Sequence, residues 1–112
     1  MNASPDLPND ANGAVLRRMV EGGDSLAHPR VVEFCIIFAR RQQAVAFVEL
    51  VGEPDLELCI SYYKEREMWQ TIVKRYMIPT HHEISDCERI LTTRAKSVGG
   101  EADGWGCLRI TE

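Results

Sequence analysis

The chain has 112 residues, the size of one domain able to bury roughly two-thirds of its unfolded surface without staples. At 45% apolar and 27% charged residues it is too rich in core-forming side chains to be disordered, and its net charge of -4 argues against a general nucleic-acid binder. No apolar run reaches the ~20 residues that span a bilayer, and residues 1–10 carry no basic and apolar export signal, so the chain reads as cytoplasmic without membrane contact.

Residues 1–9, rich in Asn, Pro and Asp, form a flexible lead-in to a single domain over 10–112. Asp10 is placed to cap a helix over 11–21, in which Val15, Leu16, Met19 and Val20 make one apolar stripe and Gly22-Gly23 supply the stop. Gly23-Asp24-Ser25-Leu26 with Pro29 is loop chemistry, with Asp24 tying a local Asx-turn. Residues 31–39 are dense in β-branched and aromatic side chains and read as a strand; Glu33 marks the outward parity, so Phe34, Ile36 and Phe38 face the helices while Cys35 and Ile37 face away. Ala44, Phe47, Val48 and Val51 then fall at helical spacing, and Gly52 with Pro54 ends a second helix over 41–51.

Residues 55–63 alternate, with Leu56, Leu58, Ile60 and Tyr62 pointing one way and Glu57, Cys59, Ser61 and Tyr63 the other. Lys64-Glu65-Arg66-Glu67 is a charged turn, and 68–78 returns as the second arm of a hairpin with Trp69, Thr71 and Val73 inward. Ser85-Asp86-Cys87-Glu88 predicts a capping box, the Ser85 hydroxyl accepting from the Glu88 amide while the Glu88 carboxylate reaches back. A third helix runs from there to Val98, with Cys87, Ile90, Leu91, Ala95 and Val98 along one side. Gly99 and Gly100 stand where a left-handed stop is wanted, and a last strand begins at Trp105, whose flanking Gly104 and Gly106 leave room for a close approach.

The stretch Gly99-Gly100-Glu101-Ala102-Asp103-Gly104-Trp105-Gly106 resembles the terminal signature of the regulator of ribonuclease E activity B (RraB) family, with Ala102 where a tyrosine is usual. The Gly23-Asp24 turn, Pro29 before the first strand, Ala44 and Phe47 on the second helix, Met77-Ile78-Pro79-Thr80, and then Ile84, Leu91 and Ala95 match the same layout, so the resemblance covers roughly Asp10 to Trp105. Members known as ribonuclease regulators carry long acidic ends, where this sequence reads Thr111-Glu112. The resemblance implies a non-catalytic regulator that binds ribonuclease E, or another cytoplasmic ribonuclease, and inhibits RNA cleavage by protein contact. It also makes Trp105 the residue expected to anchor either the domain's own edge or its partner.

The element order α-β-α-β-β-α-β predicts an α+β, ferredoxin-like sandwich with a four-stranded antiparallel sheet and the second and third helices on one face. By strand parity the other face carries Cys35, Ile37, Tyr63, Ile72 and Tyr76, together with Trp105 and Arg109, and is more apolar than an exposed sheet should be. Either the first helix covers it, a second copy pairs with it as a homodimer, or another protein docks there. The expected contact residues are Trp105, Asp103, Tyr63, Tyr76, Arg109 and Asp24; Gly99, Gly100, Gly104, Gly106, Ser85 and Glu88 are expected to be structural.

Chemistry has little support in the sequence. No nucleophile elbow, P-loop or dinucleotide fingerprint is present, Asp103 reads as a turn carboxylate, and adjacent His81 and His82 diverge, so no catalytic residue, metal or cofactor is expected. Cys35, Cys59, Cys87 and Cys107 form no C-x-x-C pair and read as buried free thiols. Two other readings remain at this level: a small-ligand or enzymatic domain with a pocket near Trp105, and an RNA-binding sheet with Tyr63, Tyr76 and Trp105 as a stacking platform.

Overall fold

The computed structural model describes residues 7–111. Leu7 already packs against the core, and the first six residues of the expected lead-in lie outside the described residues. The elements follow as α1 (Ala11–Glu21), β1 (Arg30–Phe38), α2 (Arg41–Val51), β2 (Glu57–Tyr63), a 3-10 turn (Lys64–Arg66), β3 (Met68–Met77), α3 (His81–Ser97) and β4 (Glu101–Cys107). The strands make one antiparallel sheet in the order β2-β3-β1-β4, the ferredoxin-like arrangement that the element order calls for.

Local chemistry sets the helix ends. The Asp10 carboxylate accepts from the Gly13 amide at 2.8 Å and opens α1. At the end of α3, Gly99 takes φ +82, and the amides of Gly99 and Gly100 donate to the carbonyls of Lys96 and Ala95, a Schellman stop. Gly100 has a second reason to be bare, because a Cβ there would stand 2.3 Å from the Phe38 ring.

The start of α3 differs from the sequence reading. The helix begins at His81, four residues before Ser85, and the cap is Thr80, whose hydroxyl accepts from the Glu83 amide at 3.1 Å. Ser85 and Glu88 therefore lie inside the helix and serve another purpose, described below.

All three helices contribute to one core against one face of the sheet. Leu16 and Met19 of α1, Ala44, Phe47 and Val51 of α2, and Ile84, Leu91 and Ala95 of α3 cluster with Val32, Phe34, Ile36, Phe38 and Val73. Full burial of each large side chain in such a cluster is worth about 1.5–3 kcal/mol, so this face carries most of the folding free energy. The first helix thus sits with the other two and leaves the second face of the sheet open.

Trp105 also belongs to the core side, which corrects its expected place on the open face. Ala102 lies opposite Ile36 on the helix side, and strict alternation would send Trp105 to the other face. A bulge intervenes: Asp103 and Gly104 together occupy the step beside Cys35, and Trp105 returns to pair with Phe34. Gly104 has φ +101, a conformation that favours glycine at such a bulge.

Candidate protein-interaction face

The residues of the terminal signature fasten the helix layer to the sheet edge. The Trp105 indole N–H donates to Asn12 Oδ1 at 2.8 Å, and Asn12 Nδ2 donates to Ser85 Oγ at 3.1 Å and to Glu88 Oε1 at 3.0 Å. One asparagine thereby joins β4, α1 and α3. His81 Nε2 reaches Asp10 at 2.9 Å beside this knot, so His81 is half-buried and partnered. With its ring on the core and its N–H satisfied, Trp105 is a packing residue.

Asp24 is also structural. It is 1% exposed, ion-paired with Arg30, and accepts from the amides of Leu26 and Ile110 at 2.8 and 2.9 Å. The Leu26 bond is the expected Asx-turn; the other partners extend it into a clamp. Hydrogen bonding from Arg30 holds the Asp24 carboxyl far below the usual carboxylate range. Arg30 also donates to the Leu108 carbonyl at 3.0 Å, so the buried pair fixes the backbone just after β4. Arg109 is exposed and its guanidinium lies against Gly22 at the end of α1, away from the open sheet face where it was expected.

The open face has its own register. Tyr76 of β3 pairs with Val31 of β1, and Leu108 lies beside Val31 beyond the end of β4. These three apolar side chains are 69%, 46% and 83% exposed, an unusual concentration for one end of one sheet face. In the next row Glu33 lies between Lys74 and Gly106, and Lys74 reaches Glu57 at 3.9 Å. Further along, Cys35 and Ile72 pair, then Ile37 and Gln70, with Glu101 opposite Ile37.

At the far end the hairpin tip leans over this face. Arg66 Nη1 meets Asp103 Oδ1 at 3.0 Å, linking the tip of the β2-β3 hairpin to the opposite edge strand. Ile37 is only 2% exposed although it points away from the helices, and Tyr63 beside the tip is half-buried. The exposed apolar row at Tyr76, Val31 and Leu108 is therefore at the uncovered end. Of the expected contact residues, Tyr76, Tyr63 and Asp103 share this face, whereas Trp105, Arg109 and Asp24 do not.

Val31, Glu33, Gly106 and Leu108 were not expected as contact residues. The alternation around Glu33 already placed Val31 and Glu33 outward, but Leu108 follows the last strand and its position depends on the Asp24-Arg30 clamp. Val31, Glu33, Gly106, Cys107 and Leu108 line a shallow hollow of about 360 Å³, and Val31, Asp55, Glu57, Lys74 and Tyr76 a neighbouring one of about 170 Å³.

A third hollow of about 270 Å³ lies away from Trp105, against α3, lined by residues that include Glu53, Arg75, Glu83, Asp86 and Cys87. Its Glu53 is engaged by Arg94 at 3.5 Å and its Asp86 by His82 at 3.1 Å, so these carboxylates serve surface ion pairs. Among the described residues no group of three or more His, Cys, Asp or Glu is arranged to hold a metal ion. The four cysteines are free; Cys87 is buried, Cys35 and Cys107 are half-buried, and burial pushes these three thiols up. Cys59 corrects the expectation of four buried thiols, since it projects to solvent from the edge strand β2. No described helix is long and apolar enough to cross a membrane.

A helix-backed antiparallel sheet whose free face ends in exposed apolar side chains and carboxylates has the form of a macromolecular binding module. The chain belongs to the family described as Regulator of ribonuclease activity B, whose model matches residues 9–107, nearly the whole chain. It is thus a member of a family of ribonuclease regulators. No curated protein and no solved structure matches the chain.

Proposed function

We propose that this protein is a non-catalytic cytoplasmic regulator that binds ribonuclease E, or a related ribonuclease, and lowers RNA cleavage by protein contact through the open sheet face. The observation that carries this reading is the family match over residues 9–107, which directs attention to a ribonuclease partner. The exposed row of Tyr76, Val31 and Leu108 supports the choice of face, because a binding interface draws its affinity from a few large apolar anchors. Glu33 and Glu57 lie beside the anchors, and their carboxylates favour rapid encounter with a basic partner segment. The same carboxylates disfavour RNA on this sheet and a second copy stacked face to face. Trp105 supports the face from behind by fixing β4.

The test is a titration of the purified protein into ribonuclease E acting on a labelled single-stranded RNA, with binding measured in parallel. Cleavage should slow as complex forms. Tyr76→Ala should melt as the parent does yet lose ~2 kcal/mol of binding as an interface anchor, a drop of about 30-fold in affinity. Unchanged cleavage with no complex at saturating protein contradicts the reading.

A further inference from the structure

We infer that the hollow beside Gly106 is a receptor for an arginine side chain presented by the partner protein, with Glu33 as its counter-ion. The inference rests on the regulator reading for the partner's identity and on the geometry of the hollow for its chemistry. Glu33 stands on central strand β1, half-buried, and among the described residues it has neither an ion pair nor a side-chain hydrogen bond. Its cross-strand neighbour Lys74 turns instead to Glu57 at 3.9 Å. A carboxylate without a partner on the open face of a central strand is free to pair with a cation that arrives with the ligand.

Gly106 provides the second observation. It lies opposite Glu33, its φ is outside the region reserved for glycine, and a Cβ built there meets nothing within 4 Å. Among the described residues nothing requires glycine at this point, although glycine weakens a strand. What glycine leaves is bare backbone on the floor of a hollow of about 360 Å³, walled by Val31 and Leu108. A guanidinium is planar and weakly hydrated and can pair with a carboxylate through two donors; its aliphatic stem fits an apolar wall. Arginine therefore matches the hollow in shape and charge, and the backbone clamp on Leu108 holds one wall ready.

The experiment follows amide chemical shifts of the protein as a blocked leucine-arginine-leucine tripeptide is added to millimolar concentration, beside a twin in which citrulline replaces arginine. The arginine peptide should move the resonances of Glu33, Gly106 and Leu108, and the neutral twin should bind about tenfold more weakly or worse, the loss of one charge-assisted pair. Glu33→Gln should bring the arginine peptide down to the level of the twin. Gly106→Val should melt no lower than the parent, since the space is open, and yet block the peptide. Equal binding of the two peptides, no shifts at all, or undiminished binding by folded Gly106→Val overturns the inference.

Binding to ribonuclease E separates the two claims. If both variants bind the ribonuclease as the parent does, the receptor is wrong and the regulator reading stands. If the peptide results are as expected but the parent does not bind the ribonuclease, the receptor stands and that reading falls. Self-association through this face, seen by sedimentation in the parent and abolished in Gly106→Val, counts against the receptor and for a second copy of the chain.

Discussion

Asp24 has both carboxylate oxygens occupied in a loop: Arg30 approaches each of them, the Leu26 amide joins at Oδ1 and the Ile110 amide at Oδ2. Sequence spacing showed only the Leu26 contact, because an Asx-turn is a local pattern whereas Ile110 lies 86 positions away. Asp24→Asn should cost about 3–5 kcal/mol, since it leaves the buried Arg30 guanidinium without its counter-charge. The same site sets a pH dependence. The Asp24 pKa is depressed in the folded state, so its contribution is present above the unfolded carboxylate value of about 3.9 and is lost as pH falls through the folded value. Denaturant unfolding followed from pH 6 to the acid limit, on the order of pH 2, should show that loss in the parent and a shallower one in Asp24→Asn. Identical slopes in the two proteins contradict the clamp.

Among the elements, α1 and α2 start and stop where their caps and periods indicated, because Asp10, Gly22, Gly52 and the apolar stripes agree with one another. The third helix did not, and the reason is visible in the chain. Thr80-His81-His82-Glu83 and Ser85-Asp86-Cys87-Glu88 are two capping patterns in tandem; the first wins because it adds a turn that buries Ile84 and brings His81 to Asp10. Ser85 and Glu88 are freed to hold Asn12, a contact between positions more than 70 residues apart that no local pattern encodes. Thr80→Ala should therefore lower stability by ~0.5–2 kcal/mol as a lost cap. Ser85→Ala should cost less, because Asn12 keeps its bonds to Glu88 and Trp105. Thermal melting of the two variants checks the order, and a larger loss in Ser85→Ala contradicts it. Trp105 was misplaced for a related reason: the Asp103-Gly104 bulge shifts strand parity by one residue, and only a glycine inside a strand pattern hinted at it.

For the molecule as a whole, the element order sufficed for the sheet, since two crossovers around a hairpin leave few ways to bury four amphipathic strands. Which β1 residues face away from the second and third helices was also legible from strand parity; that the first helix would leave that face open was not. What lines its uncovered end was not, because Leu108 lies outside any strand and the lean of Arg66 onto Asp103 is a tertiary choice. The account makes this open face, rather than the helix layer, the surface that meets a ribonuclease. Hydroxyl-radical footprinting of side chains, with and without saturating ribonuclease E, tests that claim most directly. Tyr76 and Leu108, now 69% and 83% exposed, should lose reactivity in the complex, while Leu50 of α2 and Ile90 of α3, 49% and 39% exposed, should keep theirs. Protection of Leu50 and Ile90 with Tyr76 and Leu108 unchanged would place the partner on the helices and contradict the account.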